Sequence, residues 1–279
     1  MRVSEAASAE SGVVGSMRDG VLEQKFLLTG KDGAPDNYLL NVGRTGAGGW
    51  TTPRHRHNFD QVRYVLKGTY PYAKGKVMQE GWVGYFPEGV YYGPQDRPEG
   101  LEMMVCQLGG ASGDGFISVA DREAANDVLK LKGEFKSGIY TWIDEHGKKH
   151  NQDGSEACLE QAMGKKLVYP KPRYEDLVMM DPENYAWIPD AAPGVATKWL
   201  GSFTERNMRL GFVRIDAGAT FQAGCENSIE LMFLAEGKLS FNGKEHGPQA
   251  AFEFLANEGP HPMTAVTQAK LLRIVLPKF

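Results

Sequence analysis

The chain has 279 residues, 42% of them hydrophobic, a formal net charge of -4 and a sequence pI near 5.9. That length and apolar fraction suffice for two domains of ordinary size, and the mild acidity argues against nucleic acid or an anionic membrane surface as the main partner, leaving a small molecule. Cys106, Cys158 and Cys225 are widely spaced without a Cys-x-x-Cys, which speaks against a disulfide framework or a zinc ribbon.

Residues 1–17 are small and polar and are expected to form a mobile tail. They contain no continuous apolar core of the signal-peptide kind, and no later run reaches the roughly 20 apolar residues of a membrane span, so a cytoplasmic protein is expected. Short strand-like segments follow (KFLLTG, NYLLNVG), broken by the turn formers KDGAPDN and RTGAGG. The stretch from Gly49 to Gly68, GWTTPRHRHNFDQVRYVLKG, stands apart. Alternation along a strand would put His55, His57, Phe59, Gln61, Arg63 and Val65 on one face. Two imidazoles, an amide and a guanidinium cannot sit on an ordinary core face, because each polar group needs a partner there.

Gly49, five residues, His55-x-His57, three residues, Gln61, six residues and Gly68 resembles the first motif of the cupin superfamily, with Gln in the place of the family's Glu. Downstream, Gly81, Pro87 and Gly89 match the second motif, and Tyr92 stands where that family has a third histidine ligand. The resemblance implies a jelly-roll β-barrel and a divalent transition metal such as Fe, Mn, Ni or Zn. His55 and His57 would be its ligands, with Gln61 a weak third one that brings no charge. The alternative for the pair is a hydrogen-bonded couple in a barrel that has lost its metal. Tyr92 is read as a hydrogen-bond or proton donor to substrate, as a phenolate ligand, or as a packed ring. Arg63 needs an anion if it points inward. That anion is either a substrate carboxylate or phosphate, or an internal acid such as Glu102.

Further strand candidates run to Leu108, and many short strands suggest a sandwich or barrel. DREAANDVLKLKG then reads as an amphipathic helix, with Ala124, Val128 and Leu131 on its apolar face and Gly133 as a stop. The remainder up to Pro182 reads as an ordered connector, its aromatics requiring cover and its His146 and His150 being solvated. From Trp187 the strand rhythm returns. Gly218, Gly224, Glu226, Glu230 and Gly237 repeat the spacing of Gly49, His55, His57, Gln61 and Gly68, which makes the chain resemble a bicupin with a degenerate second barrel. The expected division is a tail (1–17), an N-terminal cupin domain with the site (18–110), a connector with one short helix (111–185) and a C-terminal cupin domain (186–279). The expected function is that of a metal-dependent oxygenase, isomerase or lyase on a small anionic substrate. The competing class is a metal-free binding or sensory cupin, and a homodimer is one assembly compatible with either. Fold alone does not choose among these.

Overall fold

The computed structural model describes residues 1–14, 17–31, 37–109, 117–203 and 206–278. The turns expected in KDGAPDN and the glycine-rich piece after Leu108 fall largely outside them. The described chain is mostly β. It divides into two compact units, one of Ser11–Lys25 and Gly30–Met179, the other of Met1–Glu10, Phe26–Thr29 and Met180–Phe279. No helix among the described residues is long and apolar enough to cross a membrane.

The first ten strands are β1 (Arg2–Glu5), β2 (Glu10–Val14), β3 (Asp19–Thr29), β4 (Tyr38–Thr52), β5 (Phe59–Lys67), β6 (Tyr70–Ala73), β7 (Lys76–Met78), β8 (Val83–Phe86), β9 (Gln95–Arg97) and β10 (Glu102–Gly109). Strand β5 lies between β8 and β10, and β10 in turn pairs with β4. This central placement buries both faces of β5. Val65, Tyr70, Met78, Phe86, Tyr92, Leu101 and Met103 form the apolar cluster at one end of the barrel. Gly68 ends β5 with φ +87, a conformation that favours glycine, as the motif spacing requires.

Residues 119–163 build more than the single helix expected. Helix α1 (Val119–Lys130) is followed by a three-stranded antiparallel sheet, β11 (Gly133–Lys136), β12 (Ile139–Ile143) and β13 (Lys149–Asp153), and then by α2 (Gly154–Met163). The expected apolar face of α1 is corrected. Ala125, Asn126 and Leu129 are buried, whereas Leu131 is 87% exposed. The buried stripe meets Met17, Tyr140, Ala157 and Cys158 in a small core of its own, so the helix follows the surface it packs on, one position away from the sequence pattern. His150 is not solvated either. It sits on β13, stacks on Trp142 with ring centroids 5.0 Å apart, and bonds Asp144 at 2.7 Å.

Strand β14 (Val178–Met180) closes the N-terminal sheet beside β8, and the C-terminal unit continues with β15 (Ile188–Pro189), β16 (Val195–Phe203), β17 (Met208–Ile215), β18 (Thr220–Ala223) and β19 (Glu230–Glu236), then β20 (Leu239–Phe241), β21 (Lys244–His246), β22 (Ala250–Phe254), β23 (His261–Ala265) and β24 (Ala269–Val275). Its larger sheet runs β1-β22-β19-β24-β17-β16-β15 and its smaller one β18-β23-β20-β21. The N-terminal segment expected as a tail therefore supplies a strand. Arg2 lies opposite Glu253 in register and bonds it at 2.7 Å, and the terminal amino group reaches Glu258 at 2.5 Å.

Candidate functional site

Strand β5 begins at Phe59, so the two histidines precede it on an irregular segment rather than lying on the strand itself. Local pairing still aims them. The backbone N–H groups of His55 and Tyr92 each donate to the other's carbonyl at 2.9 Å. This one bridge sets the last position of the second motif beside the first, and brings the His55 and Tyr92 rings to 4.3 Å between centroids. On the opposite side, Arg56 lies between the rings of Tyr91 and Tyr169, 4.7 and 3.7 Å from their centroids, and clamps the segment between the two histidines. Tyr169 belongs to the stretch read as connector, whose aromatics are thus put to use.

The imidazoles of His55 and His57 face each other edge to face at 5.0 Å. Nδ1 of His55 contacts the carbonyl of Pro53 at 2.8 Å, which makes it the protonated nitrogen and leaves Nε2 with a free lone pair. Burial, with the positive charge of Arg18 adding to it, pushes the His55 pKa down to about 3. Burial first, then the charges of His55 and Arg63, hold His57 well below its ordinary value. His57 keeps some accessible surface because it faces a cavity, yet protein surrounds it. Both rings are neutral bases at physiological pH.

Gln61, Arg63 and Tyr92 form one connected group. Oε1 of Gln61 accepts from both Nε and Nη2 of Arg63, at 3.1 and 2.7 Å. The oxygen of Tyr92 accepts from Arg63 Nη2 at 2.8 Å and from Gln61 Nε2 at 3.3 Å. Arg63 also donates to the hydroxyl of Tyr70. Its guanidinium is 4.6 Å from the centre of Phe86 and pairs with no carboxylate among the described residues. Glu102, the acid considered for it, faces Arg44 instead, at 3.8 Å.

A second residue pair repeats the device. Nε and Nη2 of Arg97 donate to Oε1 of Gln95 at 3.0 and 2.8 Å, again two residues back on a short strand. Arg97 too lacks a carboxylate among the described residues. Desolvation, with the charge of Arg63 contributing, lowers its pKa to about 10. Sequence reasoning missed this pair, although Gln95-x-Arg97 copies the spacing of Gln61-x-Arg63.

His55, His57, Arg63 and Arg97 line a cavity of about 100 Å3 together with Arg18 and Arg122, with Gln61, Gln95 and Tyr92 set behind this lining, and no Asp or Glu lines it among the described residues. Arg18 is neutralised close by. It donates to both carboxylate oxygens of Asp153, at 2.9 and 2.8 Å, while Asp153 caps the N-terminus of α2. Two neutral imidazole nitrogens suit a transition metal. A third protein ligand is not supplied as the side chains stand, because the oxygen of Gln61 is taken up by a cation. Among the described residues no group of three His, Cys, Asp or Glu converges on a metal position.

No family model matches this sequence, and no curated protein does. Solved structures do resemble it. A provisionally assigned dioxygenase of Nostoc punctiforme PCC 73102 is 11% identical, with 99% of this chain and 82% of that chain covered and a TM-score of 0.66. A variant of the oxalate decarboxylase of Bacillus subtilis is 13% identical over 99% and 77% of the two chains, with a TM-score of 0.57. Streptomyces albus HEPD, with 2-hydroxyethylphosphonate and Fe(II) bound, is 12% identical over 99% and 76%, also at 0.57. Identities this low speak to fold alone, and on fold they agree with the two barrels and the repeated motif spacing. The chain carries the bicupin fold, two cupin jelly-roll barrels in one polypeptide.

Proposed function

We propose that the N-terminal barrel is the site of a metal-dependent enzyme acting on a small anionic organic molecule. One observation carries this reading: Arg63 and Arg97 are buried and held by neutral amides instead of carboxylates. Desolvating a guanidinium costs several kcal/mol, and a hydrogen-bonded amide offsets only part of that. An anionic ligand completes the balance. In this reading Arg63 anchors the anion, and His55 and His57 hold a divalent transition metal (Fe, Mn, Ni or Zn) through their Nε2 atoms. Gln61 is a weak third ligand that must first turn its oxygen away from Arg63. Fe(II) in the HEPD structure supports a redox metal on this fold. Such a metal would supply Lewis-acid polarisation, or oxygenase chemistry if it is Fe(II) with O2. Tyr92 already accepts two hydrogen bonds, so its own hydrogen is left to donate to the substrate.

Elemental analysis of protein purified without a histidine tag tests the metal. About one divalent ion per chain is expected, and it should be lost in His57→Ala. Titration with small organic acids tests the anion. Arg63→Ala should weaken their binding on the order of tenfold or more, since hydrogen bonds to charged groups contribute about 1.5–3 kcal/mol. An affinity equal to wild type removes the basis of the reading. The second reading, a metal-free binding cupin, is favoured by the Gln61–Arg63 fork, and it takes the lead if dialysis against metal salts leaves the protein without bound ion.

A further inference from the structure

We propose that the ligand of the N-terminal barrel is a small organic dianion, one charged group facing Arg63 and Arg97 and the other facing Arg122 of α1. This rests on the anion reading above and extends it to the substrate class. The cavity is lined from two sides, by barrel residues and by Arg122 and Ser155 of the helical insert. Each side carries cationic charge that no carboxylate among the described residues pairs with.

On the barrel side, Arg63 and Arg97 both lie 5.2 Å from the ring centre of Tyr70. On the insert side there are two arginines with opposite circumstances. Arg18 is matched by the bidentate contact with Asp153 and by the carbonyl of Gly138 at 2.7 Å. Arg122 has no such match, and its Nε is shut off from solvent without a hydrogen-bond partner among the described residues. Burial, reinforced by the charge of Arg18, lowers its pKa, although Cys158 and Glu123 act in the opposite direction. A buried donor without a partner is costly. It is expected where a ligand supplies the acceptor.

A monoanion would satisfy one end and leave the other dry and charged. The insert helix therefore acts as a specificity element, and Arg122 reads whether the molecule has a second negative group. About 100 Å3 corresponds to roughly three water molecules at ~30 Å3 each. A cavity of this size favours compact molecules, and short dicarboxylates and small phosphorylated acids are the compact dianions to try.

Calorimetric titration at pH 8 of malonate against propionate and of succinate against butyrate measures the preference at matched chain length, with 2-phosphoglycolate added to separate a phosphoryl from a carboxyl second group. Wild type should bind the better diacid at least tenfold tighter than its monoacid. Arg122→Gln should lower that ratio at least fivefold, and Arg122→Lys should restore part of it. Circular dichroism and Tm confirm that both variants fold. A wild-type ratio under threefold, or a ratio that Arg122→Gln leaves intact, overturns the proposal. If monoacids and diacids bind alike and Arg63→Gln abolishes both, the anion site stands and the dianion does not. If wild type binds none of these acids, both readings fall. Phosphoglycolate, with about three negative charges at pH 8, binding tighter than either diacid would assign the second anionic group as phosphoryl.

Discussion

The two barrels each place a guanidinium at the equivalent rung of their larger sheet and treat its charge in opposite ways. In the N-terminal barrel Arg63 on β5 lies opposite Val105 on β10. In the C-terminal barrel the equivalent rung has Met232 on β19 opposite Arg273 on β24, so the cation has moved to the neighbouring strand. There it meets acids. Arg273 bonds Glu230, which stands in the place of Gln61, and also Glu226 at 2.9 Å, which stands in the place of His57; Arg209 closes the other side of Glu226. The carboxylate of Glu230 further accepts from the backbone N–H of Gly224 at 2.8 Å. One barrel has filled its interior with a self-neutralised network, and the other keeps neutral amides and imidazoles around Arg63 and Arg97, which pair with no carboxylate among the described residues. Carboxylates at two motif positions, Glu230 against Gln61 and Glu226 against His57, accompany the change from an open site to a closed one.

The largest effect should come from unbalancing the closed barrel. Glu230→Gln leaves Arg273 desolvated with only Glu226 as a charged partner, and breaking a buried pair costs about 3–5 kcal/mol. Urea unfolding measures it, and a loss under 1 kcal/mol would mean that the network does not hold the C-terminal barrel together. Acid should act on the open barrel next. The pKa of His55 falls from 6.5 to about 3 on folding, so the unfolded chain takes up a proton that the folded one refuses. Stability is complete above pH 6.5 and falls as pH drops toward 3, by about 1.4 kcal/mol per pH unit for His55 alone. Thermal melts between pH 7.5 and 5 should show this slope, and it should flatten in a His55→Gln, His57→Gln double variant. An equally steep slope in the variant would place the acid sensitivity elsewhere. The smallest effect should come from making the open barrel resemble the closed one. Gln61→Glu gives Arg63 an internal carboxylate, and the titration experiment should show organic-acid affinity falling about tenfold, roughly 1.4 kcal/mol, with Tm unchanged or raised. Undiminished binding would show that Arg63 is not the anchor.

The central part of the candidate site was legible because it is local. His55, His57, Gln61 and Arg63 share one parity over nine residues, and glycines bracket them at fixed spacing. The separation into two units also had a local trace, the repeat of that spacing around Glu226 and Glu230. Arg97 carried a readable signal in its Gln-x-Arg spacing, but its relevance depends on Tyr70 bringing it beside Arg63. Arg18 and Arg122 left no such signal. Arg122 reaches the cavity only because the insert folds against the barrel, Arg18 is paired only there by Asp153, and no periodicity in the sequence encodes those contacts. The face of α1 failed for the same reason, since Val128 and Leu131 match a helical pattern while the available core lies one position round, at Ala125 and Leu129. Arg273 shows the limit for sheets. Its partner lies on an adjacent strand, and cross-strand register emerges only when non-neighbouring segments pair.

The pairing of β1 with β22 sets a schedule for biosynthesis. Arg2 and Glu253 are 251 positions apart, so β1 has no sheet to join until the segment that carries Glu253 has been made. At about 5–20 residues per second that is on the order of 10–50 s during which Arg2–Glu5 waits, while the N-terminal barrel has the opportunity to form. The strand is short and carries a charge at each end, which makes it a poor template for pairing with another molecule in the interval.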